Sequence, residues 1–305
     1  MIVMKSPLRA TAAAVLLIAG FGVTACSSAG SATSAAPATS AASAPVDQGR
    51  TVVAFTPDQP LNDGQLHQAA DQIRRRAEQV GLKDPQVTVG SGTVSLSAAG
   101  AVGDRAAALG HQPVLEFRPV IAEAIQATLS PQGSPPTLGT VPAELRQQFY
   151  ALKCTAPVTG TRPTDPGADA VACDGATGPG LRYVFALGPV AVKQAEISAS
   201  SASQDPQSGA DDWAVLLRFD AKGSAAFTTF TGQLAIQATP ANQCAVVLDG
   251  TVVSHPFLKQ AVTAGAAEIS GAFTEDQART LAAQLSTGSL PAEFHAGTPA
   301  RSPAS

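Results

Sequence analysis

Short strand and helix patterns follow one another in a defined order from residue 51, and this order constrains the fold most strongly. A strand is predicted at 51–55. A helix is predicted at 62–81, where apolar residues recur every three or four positions. Alternating apolar residues on both sides of Gly-Ser-Gly at 87–96 predict a hairpin. A short helix at 104–109 and a strand at 114–120 complete the order β-α-β-β-α-β. This order predicts an α+β unit of the split βαβ, or ferredoxin-like, type, in which two helices cover one face of a sheet.

Residues 181–292 contain a second series of patterns, with more strands than helices. Asp249-Gly250 is a dipeptide that favours a tight hairpin turn. Asp220 and Thr274 stand where helix N-caps are expected. The predicted strands lie at 181–187, 213–219, 246–248, 251–253 and 267–273, and the predicted helices at 224–233 and 274–285. These patterns predict a second α+β unit with a mostly antiparallel sheet.

The first 25 residues have the composition of a secretory signal peptide. Lys5 and Arg9 precede an apolar run at 12–20 that is too short to span a bilayer, and small residues follow. The tetrapeptide Val-Thr-Ala-Cys that ends at Cys26 resembles the bacterial lipobox, in which the cysteine is acylated and becomes the first residue of the mature chain. We therefore expect a lipid anchor in the outer face of the cell membrane. The alternative is a secreted protein cleaved near Ala25.

Three other segments are poor in residues that form a core. Residues 26–50 consist mostly of Ser, Ala, Thr, Gly and Pro and predict a disordered tether. Residues 293–305 predict a disordered tail. Residues 121–180 are rich in Pro and Gly and predict a connecting insertion. Cys154 and Cys173 lie in this insertion, and in an oxidising compartment they predict a disulfide. Cys244 lies in an apolar run and predicts a buried strand thiol.

The charge composition argues against several classes of function. Charged residues are only 14% of the chain and the formal net charge is −4, so we expect no nucleic-acid binding, which needs a basic surface. The three consecutive arginines at 74–76 are interpreted as a solvated helix face. Apart from the short N-terminal run, no stretch has the roughly 18 apolar residues of a membrane span, so we expect no integral channel or transporter.

The residue pattern gives no sign of catalysis, a metal or a cofactor. The four histidines, at 67, 111, 255 and 295, form no ligand cluster by spacing. No glycine-rich phosphate loop and no Gly-x-Ser-x-Gly motif is present in the sequence. Asp249 is interpreted as a turn residue rather than a catalytic carboxylate, and His255 as a loop histidine. We therefore expect a protein that is not an enzyme.

Several segments resemble the large extracytoplasmic domain of the SecD family, accessory subunits of the bacterial Sec translocase. The match covers most of residues 56–291, and Cys154 and Cys173 resemble a cysteine pair in actinobacterial members. The matching segments are 73–76 (IRRR), 81–87 (GLKDPQV), 115–120 (LEFRPV), 187–189 (LGP), 197–199 (ISA), 245–256 (AVVLDGTVVSHP), 269–274 (ISGAFT) and 282–291 (AAQLSTGSLP). The resemblance implies a base at 51–120 and a head at 181–292. In family members, the membrane helices that carry the proton-linked carboxylate follow the last segment. This chain ends at Ser305, so we expect no proton path.

The resemblance implies that the head contacts polypeptide, and it favours Trp213, Phe219, Asp249 and His255 as contact residues. The alternative is that these matches reflect packing alone. The resulting hypothesis is a binding protein, anchored through Cys26, that contacts Sec components or unfolded exported polypeptides. Sheet edges of the head would bind extended segments by strand addition. The competing hypothesis is a cell-envelope lipoprotein with a structural or ligand-binding role unrelated to export.

Overall fold

The computed structural model describes residues 49–126, 141–154, 165–175, 182–204 and 212–302. The strands are β1 (Arg50–Pro57), β2 (Gln86–Val89), β3 (Val94–Ala99), β4 (Leu115–Ile125), β5 (Ala170–Asp174), β6 (Tyr183–Leu187), β7 (Val192–Lys193), β8 (Ile197–Gln204), β9 (Trp213–Phe219), β10 (Cys244–Leu248), β11 (Thr251–Ser254), β12 (Ala266–Phe273), β13 (Phe294–Ala296) and β14 (Ala300–Ser302). The helices are α1 (Asp63–Gln79), α2 (Gly103–Ala107), α3 (Ala143–Ala151), α4 (Ala221–Ala235) and α5 (Glu275–Ser286). The predicted α+β class is confirmed.

The first sheet has the strand order β13-β1-β3-β2, and β14 also pairs with β1. Helix α1 begins at the predicted cap, because the Asn62 side chain and Gln65 form a reciprocal capping box. The apolar face of α1, with Leu66 and Ile73, packs against Val53 and Phe55 of β1. This packing forms one hydrophobic core beneath the sheet.

The second sheet closes on itself. Its strands pair in the order β10-β11-β5-β6-β4, and β4 pairs again with β10. Strand β7 adds to the side of β4. The enclosed core includes Val120, Ala172, Phe185, Leu187 and Val247, one residue from each of β4, β5 and β10 and two from β6. The predicted Asp249-Gly250 turn joins β10 to β11, and both residues have positive φ, 50° and 80°. Such angles are the reason that this dipeptide suits a two-residue hairpin.

The third sheet is three-stranded and antiparallel, in the order β12-β9-β8. One face packs on α4, α5 and the outside of the closed sheet in a single core. Phe117 of β4 lies at the centre of this core, with its ring 5.7 Å from that of Phe219 and 5.4 Å from that of Phe227. Both α4 and α5 begin at their predicted caps, Asp220 and Thr274.

The three cysteines of the described residues lie as the sequence predicts. Cys154 and Cys173 form a disulfide with a Cα–Cα distance of 5.5 Å, which confirms the predicted pair. Cys244 is a free, fully buried strand residue, and burial raises the pKa of its thiol. The predicted connecting insertion contributes α3 and β5, and β5 is a full member of the closed sheet.

The expected place of β4 requires correction. The ferredoxin-like arrangement predicted β4 in the same sheet as β1, but β4 pairs with β6, β7 and β10 instead. The physical reason is that β4 buries both of its faces: Phe117 lies in the core of the third sheet and Val120 in the closed sheet. A strand that is apolar on both faces needs packing on both sides.

The expected disordered tail at 293–305 also requires correction. Residues 294–296 form β13, which pairs with Phe55–Pro57 of β1, and residues 300–302 form β14, which pairs with Arg50–Val52. Phe294 anchors the segment because its side chain is 2% exposed in the first core. Backbone pairing with β1 therefore orders a segment whose composition favours disorder.

The predicted signal peptide at 1–25, Cys26 and most of the tether at 26–50 lie outside the described residues. Within the ranges that the structure does describe, no helix is long and apolar enough to cross a membrane.

Candidate functional site

The four predicted contact residues lie in different environments. Phe219 is 7% exposed, and its ring belongs to the core of the third sheet. Trp213, at the start of β9, is half-buried, and the guanidinium carbon of Arg279 lies 5.3 Å from the centre of its ring. This distance is typical of a cation–π contact. These two aromatic side chains support the sheet from its covered face.

Asp249 lies at a polar junction between three segments. The Asp249 carboxylate accepts hydrogen bonds from His111 Nε2, at 3.0 Å, and from the backbone N–H of Val114, at 2.9 Å. His111 Nδ1 donates to Glu293 Oε1 at 2.7 Å. Glu293 in turn accepts from the backbone N–H of Gln112 at 2.9 Å. The junction therefore joins the β10–β11 turn to both segments by which the chain passes between the first sheet and the rest of the fold.

The two carboxylates hold His111 in its charged form. The hydrogen bond to Asp249 is the largest cause and the bond to Glu293 adds to it, so the pKa of His111 rises to about 9 although burial opposes the charge. The unfolded chain has the ordinary pKa of about 6.5. A base with a raised pKa in the folded state stabilises the fold fully below pH 6.5, and this contribution is lost as the pH rises through 9.

Replacing Asp249 with asparagine is expected to remove most of this pH dependence. The His111 side chain is 47% exposed, so after allowance for solvent screening we expect a loss of only about 1 kcal/mol. Asparagine tolerates the positive φ and can still accept from Val114. An NMR titration of the His111 ring checks the result, since its pKa should fall towards 6.5 in D249N. An unchanged pKa in the variant would contradict the assigned cause.

A buried arginine donates hydrogen bonds to the same two crossing segments, that is, the segments at 109–112 and 287–293 by which the chain leaves and re-enters the first sheet. Arg76 is fully buried, in contrast to the solvated face that was expected for residues 74–76, whereas Arg74 and Arg75 are exposed. Burial lowers the pKa of Arg76 to about 10, and Glu293 opposes this effect. The guanidinium donates five hydrogen bonds, to Thr287 Oγ1, Leu109 O, His111 O, Gln112 Oε1 and Gly288 O.

His255 lies at one end of the closed sheet. Its Nδ1 donates to Gln243 Oε1 at 3.1 Å, and its ring centre lies 4.9 Å from that of Phe185. Burial lowers the pKa of His255. Burial also raises the pKa of nearby Glu123, an effect that the Gln243 amide opposes. Partial burial thus biases both titratable groups towards their neutral forms.

The third sheet has an open edge and a depression on one face. Strand β8 forms one of its edges, and Ser198, Ala199, Ser201 and Gln204 are exposed. The face opposite α5 contains a depression of about 360 Å³. The sequence did not predict β8, because alternating Ser and Ala have low strand propensity. Only the resemblance at 197–199 pointed to this segment.

Metal binding has no geometric support in the ranges that the structure describes. No group of three or more His, Cys, Asp and Glu side chains is arranged there to hold an ion. At the polar junction, both ring nitrogens of His111 are already engaged by carboxylates. The arrangement fixes the segments together and leaves a sheet edge at the surface.

Sequence comparison connects this chain to translocase subunits. Residues 177–292 match the family model for the SecDF P1 head subdomain. The chain is 41% identical over 155 residues to the protein translocase subunit SecD of Streptomyces coelicolor, a match that covers 50% of this chain. The chain is similar to SecD over these matched regions. It is also 42% identical over 78 residues to SecD of Syntrophobacter fumaroxidans.

A solved structure shows the same fold. A crystal structure of SecDF in a super-membrane-facing form superposes on 83% of this chain with a TM-score of 0.51 and 22% identity. The matched regions make up 27% of the Streptomyces SecD, 14% of the Syntrophobacter SecD and 30% of the SecDF structure. The chain thus spans less than a third of the length of each of these relatives.

Proposed function

We propose that this chain is a lipid-anchored, non-catalytic SecD-like protein that binds exported polypeptides on the outer face of the cell membrane and assists Sec-dependent translocation. The observation that carries the proposal is the SecDF P1 head match at residues 177–292. The relatives with which the chain shares this region are named protein translocase subunits. The open edge of the third sheet supports a binding role, because a sheet edge can accept an extended chain.

The proposed anchor is an acylated Cys26, which would hold the head and base near the site where polypeptides emerge. Stable anchoring through acyl chains needs more than one chain, as in a fully modified lipoprotein cysteine. C26S is expected to lose labelling by radioactive palmitate and to move from the membrane fraction to the released fraction. A C244S variant, in which the buried strand thiol is replaced, serves as the control and should keep both the label and the membrane association. Membrane retention of C26S would contradict the anchor.

Site-specific crosslinking in cells tests the binding role. A photoreactive residue at Ser201 and another at Phe257, which is 45% exposed, sample two parts of the matched region. We expect both to recover secretory precursors or Sec components, in amounts that rise when export is slowed. The same residue at exposed Arg75 on α1 is the matched control. Recovery of cell-wall material alone would contradict the proposal and favour an envelope role.

A further inference from the structure

Strand β8 is an unprotected sheet edge. It is the terminal strand of the third sheet, and no described strand pairs with its outer side. Its eight residues, ISASSASQ, include no charge and no proline. Proteins usually protect edge strands with charges, prolines or short length, because an edge presents unpaired N–H and C=O groups. About every second residue of β8 directs these groups outwards.

The other edges in the described part of the chain are protected. Strand β12, at the opposite side of the third sheet, contacts β11 near Gly271, where Val253 O is 3.4 Å from the position of a Cβ on Gly271, and β12 also carries the charged residue Glu268. Strand β2 has four residues and follows Pro85. Strands β7, β13 and β14 have two or three residues each. Strand β8 is therefore the long edge that is available for pairing.

The two faces of β8 differ. Ser200 points to the covered face, where its Oγ donates to Ala282 O of α5 at 2.7 Å. Ala199 and Ser201 point to the opposite, exposed face. There they border the depression, whose lining includes Leu216, Ala266, Arg218 and the almost fully buried Glu268, and whose exposed surface is mainly apolar. The side chains on this rim are small, so a neighbouring strand could lay a larger side chain over them into the depression.

We propose that β8 accepts an extended, uncharged polypeptide segment as a fourth strand, with apolar side chains at alternate positions that fill the depression. This inference rests on the proposed function and identifies its binding site. Backbone hydrogen bonds recognise any extended chain, which suits a protein that must bind many sequences. The lack of charge on β8 favours uncharged segments. A second copy of β8 would bring only Ala and Ser to this face and would leave the depression empty.

The test uses the purified full chain carrying C26S and a fluorescent peptide in which leucine alternates with serine. We expect saturable binding by fluorescence anisotropy. Two further peptides carry N-methyl groups on alternate residues, in the two possible registers. Methylation removes the donors along one edge of the peptide, so one register should lose binding and the other should keep it. Equal binding of both methylated peptides would overturn strand addition.

A matched pair of variants locates the site. S201K adds a charge to the exposed face of β8 and is expected to weaken binding about tenfold. T88K adds the same charge to exposed Thr88 of β2 and should leave binding unchanged. If the peptide binds but S201K has no effect, the β8 site is wrong and the proposed function stands. If the unmethylated peptide does not bind at all, the proposed function fails as well. A dimer that S201K dissociates in sedimentation would assign the edge to a second copy and overturn the proposal.

Discussion

Replacing Arg76 with methionine is expected to lower the free energy of unfolding by about 3–5 kcal/mol. Methionine has a similar apolar length but donates no hydrogen bond. The substitution therefore leaves the carbonyl groups of Leu109, His111 and Gly288 without their buried donor. An unpaired buried acceptor costs about 1–3 kcal/mol. Urea unfolding, followed by circular dichroism, measures the loss.

Two variants separate the contribution of the Arg76 hydrogen bonds from the contribution of its positive charge. R75M changes the exposed neighbour in the same arginine run, and we expect an effect within about 0.5 kcal/mol. R76K keeps the positive charge but cannot supply the planar, five-donor geometry, so it should recover only part of the loss. If R76M proves as stable as R75M, the hydrogen bonds of Arg76 would not stabilise the two crossing segments.

Local signals predicted much of the fold. The capping boxes at Asn62 and Thr274 form as the sequence indicates, because they involve residues only three positions apart. The Asp249-Gly250 hairpin forms for the same reason, since the turn requires two positive φ angles that these residues tolerate. The α+β class follows from such elements. Short-range chemistry thus determined where helices and turns lie.

Long-range pairing was not accessible from the same patterns. The partner strands of β4 depend on which sheet can bury both of its faces. Strand β1 pairs with β13, which lies more than 200 residues later in the sequence. Arg76 follows Arg74 and Arg75 in an apparently polar run, but its helix position faces the crossing segments. Only the three-dimensional arrangement reveals that a charged side chain at this position meets five acceptors.

In the candidate site, too, local features were predictable from the sequence and long-range contacts were not. Asp249 was correctly interpreted as a turn residue, but its bond to His111 joins residues 138 positions apart. The predicted contact residues are large or polar, as functional residues often are. The strand that the geometry favours, β8, consists almost wholly of Ser and Ala. Its importance lies in unpaired backbone groups, which no side-chain pattern records.

Removing the disulfide with the double variant C154A/C173A is expected to lower the free energy of unfolding by about 3 kcal/mol. The two cysteines are 19 residues apart, and in the chain-entropy view the crosslink restricts that loop in the unfolded state. The link also fixes the end of α3 to β5, whose residue Cys173 is fully buried in the closed sheet. Urea unfolding with and without a thiol reductant measures the effect.

The reductant distinguishes the crosslink from simple packing loss. The unmodified chain should lose stability on reduction, whereas the double variant should not respond, because it has no disulfide to break. C244A removes the free buried thiol and should respond to reductant as the unmodified chain does. If reduction leaves the unmodified chain as stable as before, α3 and β5 would be held by packing alone, through Phe149 and Val171 of the same core.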